Sequence, residues 1–392
     1  MRIVAKFGGT SLGNGDKIEN AAKAVKKAVD DGHEVVVVAS AMGDTTDELL
    51  DEMRFSPDSK DRDEIVSMGE RTSVRMLAAS LNAKDLEASI LEPGMKNWPI
   101  KKKDGRLDEE ETEKLIQQLD IENNVKIVTG FLAEDEDNEI ATLGRGGSDT
   151  TATILGKYLD ADRVVIVTDV EGVLTGNPEI VESAHNVGEI SIDVLRELSF
   201  KGAEVVAPSA LSYKEEDTDV EVVHYQEQNL LENGTSVEGE FERIIDASDR
   251  ELSSLTVAGR EIRNQPGILD KITGVLGENQ INIEGIGTGA DSITMYVYSD
   301  EAEQAKKLIH NQVLEIDKLS SVTMDESIAG VRVVGGEYMD QPGVISEIVS
   351  PLAEAKINIH EMITSSASII VFVDWEVREK TLKLIQEVYG EK

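Results

Sequence analysis

Val35-Val36-Val37-Val38-Ala39 is an unbroken apolar run made almost wholly of β-branched residues. Such side chains are stiff at χ1 and favour extended backbone, and a strand without polar alternation has no face to show to water. It has to be covered on both sides, as a strand of a parallel sheet is covered by helices. Ile3-Val4-Ala5-Lys6-Phe7 and Val164-Val165-Ile166-Val167-Thr168 read the same way, with further strands expected at 89–91 and 126–131. Helical patterns near 64–79, 109–119 and 150–158 separate them. Strands alternating with helices make a doubly wound, mostly parallel α/β sheet.

Open sheets of this kind bind ligands beyond the carboxyl ends of their strands, and here those ends are polar. Lys6-Phe7 gives way to Gly8-Gly9-Thr10-Ser11 and then to an amphipathic helix with Ile18, Ala21, Ala22, Val25 and Val29 on one face. A lysine at the end of a buried strand, followed by paired glycines at a helix start, makes a phosphate cradle with its own counter-charge. The spacing is not that of a Walker A loop. Ser40 to Thr46 follows the valine strand. The densest segment is Thr142-Leu143-Gly144-Arg145-Gly146-Gly147-Ser148-Asp149-Thr150-Thr151. Its glycines let backbone N–H groups approach an anion, and a helix expected from Thr150 onward presents its N-terminus there. Arg145 can grip a carboxylate through two parallel hydrogen bonds, and Asp149 needs a lysine or N–H groups beside it. Taken alone, a glycine-rich turn capped by Ser148 or Asp149 and a Lys6 reaching out of its strand explain the same residues. Residues 134–138 read as the turn of a hairpin returning through Ile140. Trp98 and Lys101 to Lys103 read as a solvated, charged connection.

The charge limits the partners. Among 392 residues, 39 Lys and Arg face 77 Asp and Glu, a net charge of −38. A surface this acidic repels nucleic acid and anionic membranes, so neither is expected as a partner. The acids are spread over loops such as 58–64 and 134–139 rather than gathered in a tail. They point to a salt-rich cytoplasm, where screening over about 3 Å at 1 M removes self-repulsion. The absence of cysteine rules out disulfides, thiolate catalysis and cysteine metal sites. No apolar run has membrane length and the first residues enter a strand directly, so a cytoplasmic protein without signal peptide is expected.

The tail repeats itself. Gln265-Pro266-Gly267-Ile268 recurs as Gln341-Pro342-Gly343-Val344, Ile281-Asn282-Ile283 as Ile357-Asn358-Ile359, and Ser292-Ile293 as Ser368-Ile369, each 76 positions on. Each copy reads strand, Pro-Gly helix start, helix, Ile-Asn-Ile strand, strand, helix, which fits a ferredoxin-like unit. This pattern resembles the ACT module, a small amino-acid sensor. Only seven strands are legible where two complete modules need eight, so the copies are expected to interleave. An acidic connection around 239–249 precedes them.

The order of motifs carries a wider resemblance. Lys6-Phe7-Gly8-Gly9-Thr10-Ser11, Ala39-Ser40-Ala41-Met42-Gly43-Asp44-Thr45-Thr46, Ser67-Met68-Gly69-Glu70, Thr129-Gly130-Phe131 and the Arg145 segment follow one another as in the aspartate kinases of the amino-acid kinase family. The resemblance spans essentially the whole chain. It implies an amino-acid kinase domain over 1–240 followed by ferredoxin-like βαββαβ ACT modules over 250–326 and 327–392. It implies transfer of the ATP γ-phosphoryl group to the side-chain carboxylate of L-aspartate, with Mg²⁺ carried on the ATP oxygens and no protein metal site. Lys6, with Gly8, Gly9 and Thr10, would hold the phosphate, and Asp149 would position Lys6. Arg145 and Ser148 would bind a substrate carboxylate beside Thr46, and Glu70 would take the α-ammonium group. Thr168 and Asp169 would lie on the adenosine side. An amino-acid effector, lysine or threonine, would sit near Gln265, Gly267, Ile268, Asn282 and Ile283, and a homodimer through the ACT edges is implied.

Four departures from the family stand out. Asn177-Pro178-Glu179 replaces Asp-Pro-Arg, Leu174 lies where an aromatic residue is usual, Gly202-Ala203-Glu204 replaces Gly-Ala-Lys, and Ala207-Pro208 replaces His-Pro. A carboxylate 4 Å from a phosphate would cost about 4 kcal/mol at an effective dielectric of 20. Either these acids point away, or Lys201 and bound cations compensate, or nucleotide binding is weak. A non-catalytic amino-acid-responsive regulator and another acyl-phosphate kinase of this fold are the competing expectations.

Overall fold

The computed structural model describes residues 1–121, 124–200, 205–241, 244–335, 343–365 and 368–389. The chain divides into two compact units, Met1–Phe241 and Glu242–Lys392. In the first, β1 (Arg2–Phe7), α1 (Gly15–Asp30), β2 (Glu34–Ala39), α2 (Thr45–Glu52), α3 (Ser59–Asn82) and β3 (Ala88–Leu91) come in sequence. β4 (Lys102–Lys103), β5 (Arg106–Leu107), α4 (Glu109–Ile116), β6 (Val125–Thr129), β7 (Leu132–Glu134), β8 (Ile140–Thr142) and α5 (Gly147–Tyr158) follow. β9 (Arg163–Thr168), β10 (Glu189–Ser191), α6 (Ile192–Phe200), α7 (Pro208–Leu211), β11 (Asp219–His224) and β12 (Thr235–Glu238) complete it.

The main sheet has the order β10-β12-β11-β9-β1-β2-β6-β3. Only the β11–β12 pair is antiparallel. Alternation along the central strands feeds two cores. Val4, Val36 and Val38 pack with Ala152, Ile154 and Leu155 of α5. Ile3, Ala5, Phe7, Val35 and Val37 pack with α1 and α3 through Ile18, Val25, Val74 and Leu77. The two-residue period therefore turns Lys6, like Val4, toward the α5 side.

Several local expectations are corrected. The turn after the paired glycines is a single 3-10 turn, Thr10–Leu12, and α1 opens later, capped by Asn14, whose side chain accepts from Lys17 N at 3.0 Å. α5 starts at Gly147 rather than Thr150, because Gly146 takes the left-handed conformation, φ 76°, that a side chain would resist. β6 stops at Thr129, and Gly130-Phe131 form a turn. Trp98 is buried, not solvated. Its indole donates to Ile100 O at 3.0 Å, and Lys101 pairs with the buried carboxylate of Glu134. A large ring whose one polar atom finds a carbonyl has no reason to stay in water.

In the second unit β13 (Ile244–Ala247), β14 (Leu252–Gly259), α8 (Ile268–Glu278), β15 (Gly285–Thr288), β16 (Ser292–Tyr298) and α9 (Ser299–Glu315) lead to the long β17 (Leu319–Val334). Then come α10 (Val344–Glu354), β18 (Ile359–Thr364), β19 (Ser368–Asp374) and α11 (Arg378–Tyr389). β14 pairs with residues 319–328 of β17, whereas β19 and β13 pair with residues 328–334 and 331–334 of the same strand. One strand thus serves both repeats. The strand lacking in the second is β13, which lies in the stretch expected to be an acidic connection. Ile281-Asn282-Ile283 is not a strand. Ile281 is a buried anchor between α8 and β15, and Ile357 does the same before β18. Gln341 and Pro342 lie outside the described residues. Among the described residues no helix is long and apolar enough to cross a membrane.

Candidate active site

At the carboxyl edge of the main sheet an open cleft of about 230 Å³ is lined by Lys6, Ser40, Thr46, Glu70, Phe131 and the segment 144–149. It gathers all six residues expected at the catalytic and acceptor positions: Lys6, Thr46, Glu70, Arg145, Ser148 and Asp149. A larger open depression, about 530 Å³, lies around Lys103–Glu109 but has no buried titratable group among its lining.

One side of the cleft is built for anions. Lys6 Nζ stands 2.6 Å from Asp149 Oδ1, both side chains nearly buried, and Asp149 Oδ2 accepts from Ala207 N at 2.9 Å. α5 starts with no side-chain cap; the N–H of Gly147 donates to Gly144 O at 3.0 Å, those of Ser148 and Asp149 have no acceptor among the described residues, and the helix dipole favours negative charge there. Arg145 is exposed and carries no ion pair among the described residues, in a chain with twice as many acids as bases. The Gly8–Gly9 turn packs so closely that a Cβ on Gly9 would sit 2.7 Å from Gly43 O. A side chain at that position would push the two loops apart.

The other side carries a buried acid. Glu70, on the inner face of α3, is 3% exposed. Oε1 accepts from Ala41 N at 3.2 Å, and Oε2 is buried with no hydrogen-bond partner among the described residues. Burial pushes this carboxyl up from 4.5 to about 7, with the hydrogen bonds opposing. An unsatisfied buried carboxylate oxygen beside a cleft suits a cationic ligand group.

Thr168 and Asp169 do not line this cleft. They lie one strand over, at the end of β9, with Thr168 Oγ1 donating to Asp169 Oδ1 at 3.3 Å and Thr168 O accepting from Tyr225 N at 2.7 Å. Gly8, Gly9 and Thr10 do not line the cleft either; Gly8 stands between the two places, since a Cβ on it would lie 3.3 Å from Lys6 Nζ and its N–H donates to Val167 O at 3.1 Å. Glu179 is exposed, whereas Lys201, Gly202, Ala203 and Glu204 lie outside the described residues. In the second unit Gly267 is the left-handed residue before α8, and Asn282 bonds Glu284 at 2.7 Å rather than a neighbouring backbone.

Ser40 and Phe131 also line the cleft, and sequence reasoning named them only within longer motifs without giving either a role. Ser40 could have been given one, because it is the first residue past β2 at the ligand edge. Phe131 has φ 67°, and Leu132 N donates to Gly130 O at 2.7 Å. Such a tight three-residue turn is strained for a bulky residue, and no local pattern announces it.

Residues 1–224 match the Amino acid kinase family, and residues 255–313 and 323–387 each match an ACT domain. The aspartokinase of Bacillus sp. strain MGA3 is 32% identical, over 99% of this chain and 97% of its own. The chain belongs to the aspartokinases. The aspartokinase of Geobacillus stearothermophilus is 34% identical over the same shares. The crystal structure of aspartate kinase from Synechocystis superposes with a TM-score of 0.81 at 26% identity, covering all of this chain and 69% of that one.

Proposed function

We propose that this aspartokinase moves the γ-phosphoryl group of ATP onto the side-chain carboxylate of L-aspartate, giving 4-phospho-L-aspartate, the first step toward lysine, threonine and methionine. The observation that carries the reading is one cleft with an anion-binding wall facing a buried carboxylate, one of whose oxygens lacks a partner among the described residues. A zwitterion with a second carboxylate satisfies both walls. Arg145, Ser148 and Thr46 hold one carboxylate, Glu70 takes the ammonium group, and the other carboxylate is left to attack. It is already ionised, so the transfer asks for positioning and positive charge rather than a general base. Lys6, oriented by Asp149, supplies that charge, with Gly8, Gly9 and Thr10 beside the phosphates and Thr168 and Asp169 toward the adenosine.

The donor set fits ATP: an ammonium group, uncapped N–H groups and a close glycine turn all favour phosphate. Mg²⁺, carried on the phosphate oxygens, supplies further charge neutralisation when bound. We take 1–240 as the catalytic domain and 250–326 and 327–392 as the sensor modules, with a lysine or threonine effector near Gln265, Gly267, Ile268, Asn282 and Ile283 and a homodimer through the ACT edges. We read the acidity as adaptation to a salt-rich cytoplasm, such as that of a salt-adapted archaeon.

The test is ATP-dependent hydroxamate formation at high KCl with aspartate, glutamate and N-acetylglutamate. Product from aspartate alone is expected. Product from another acid and not from aspartate would reassign the substrate, and none from any would leave a regulator.

A further inference from the structure

We propose that Lys17 is a positioning residue of the phosphate cradle, fixing the Gly8–Thr10 turn against the ends of β9 and β11 so that its free N–H groups stay aimed at the nucleotide. The inference rests on the nucleotide assignment just made. Lys17 lies in the first turn of α1, where the helix dipole disfavours a cation. It has no carboxylate within ion-pair distance among the described residues, although acids outnumber bases two to one. Instead Nζ turns back to donate to Thr10 O at 2.7 Å and lies 4.6 Å from the centre of the Tyr225 ring. A cation so placed is held by geometry rather than by charge balance.

The surrounding bonds show what it completes. Gly8 O accepts from Ser11 N at 3.0 Å, and Gly9 O accepts from Leu12 N at 3.1 Å and from Gly43 N at 2.9 Å. Lys17 occupies the next carbonyl, that of Thr10. In a trans peptide the N–H points opposite to the C=O, so holding the Gly8 and Gly9 carbonyls aims the N–H groups of Gly9 and Thr10 the other way. Neither N–H has an acceptor among the described residues. Tyr225, beneath the ammonium group, donates its own N–H to Thr168 O, and Ser11 Oγ donates to Val167 O at 3.2 Å. Lys17 thereby ties the cradle to the strand proposed for the adenosine side.

Lys17→Met keeps the stem and removes the cation. Its ATP KM and its calorimetric ATP Kd, with Mg²⁺ and molar KCl, should rise about tenfold, the size of one hydrogen bond to a charged group. Aspartate KM should stay within about twofold. Lys17→Arg should restore ATP binding, and Tyr225→Leu should weaken it in the same direction. Unchanged ATP affinity in folded Lys17→Met, or ATP and aspartate KM rising together, overturns the inference. If Lys17→Met does not fold, Tyr225→Leu decides by the same two constants. A wild type that binds ATP without forming hydroxamate would sink the proposed reaction alone, leaving Lys17 to be judged on Kd. A wild type that binds no ATP would sink both.

Discussion

Tyr296 and Phe372 stack with ring centroids 3.6 Å apart and planes 7° apart, and they occupy the same place in the two tail repeats, 76 positions on. Leu252 and Ile328, also 76 positions apart, close the same small core. Equivalent residues meeting one another is the signature of a local two-fold relation between the repeats. The symmetry breaks at one polar contact. Tyr296 OH donates to Glu361 Oε2 at 2.9 Å, and the position matching Glu361 is Gly285, where a Cβ would lie 3.0 Å from Phe372 Cζ. Glycine there makes room for the ring.

Phe372→Ala should therefore destabilise the second unit by about 3–5 kcal/mol, from lost burial plus an unfilled cavity. Gly285→Ala should cost about 1 kcal/mol through overpacking. Urea midpoints followed by Trp375 fluorescence, in a Trp98→Phe background, measure both. A Phe372→Ala midpoint equal to wild type would mean that the stack contributes nothing to cohesion.

The Lys6–Asp149 pair leads to a second expectation. Lys6→Met should lower kcat by at least about a hundredfold, the scale of removing one preorganised charge stabiliser. Asp149→Asn retains an acceptor for Ala207 N but loses the partner of Lys6, so kcat should fall while aspartate KM changes little. Steady-state kinetics beside melting curves separate the two effects. Wild-type kcat in either variant removes the mechanism.

Much of this site was legible because sheet periodicity and strand-end chemistry are local. Val4 and Lys6 share a face by the two-residue period, and the segment 142–151 reads as a ligand loop once its glycines, Arg145 and Asp149 are set beside Lys6, whereas the parts of Thr46 and Glu70 came only from the family resemblance. What stayed hidden depends on distant partners. β13 is four half-exposed residues in an acidic stretch, and its strand character comes from β17, more than eighty positions away. Trp98 looked solvated beside Lys101 to Lys103, whereas the core that buries it includes Leu132 and Ala133, and the carboxylate that pairs with Lys101 is Glu134, all more than thirty positions away. The late start of α1 turned on Asn14, a cap two residues past the 3-10 turn.

Salt should act on the whole molecule. With a net charge of −38 the folded chain repels itself, and molar KCl shortens the screening length to about 3 Å. The melting temperature should climb steeply from low to molar KCl. A flat profile would remove the proposal of a salt-rich cytoplasm.

Glu70 ties stability and function to pH in opposite senses. Its carboxyl sits near 7 in the folded chain against 4.5 for an unhindered glutamate, so between those values the folded state holds a proton that the unfolded state has lost. The contribution is fully present below pH 4.5 and is lost as pH rises through 7, leaving a cost of about 3 kcal/mol above it. Glu70→Gln should thus stabilise the protein by up to that amount at pH 8 and by almost nothing at pH 4. Binding runs the other way, because an ammonium group beside Glu70 needs the ionised form. Aspartate KM should rise about tenfold per unit as pH falls below 7, with one proton released on binding, and Glu70→Gln should lose both the affinity and the slope. Denaturation and aspartate titration at several pH values check the two halves. An aspartate KM flat from pH 5.5 to 8 would show that Glu70 does not face the ammonium group.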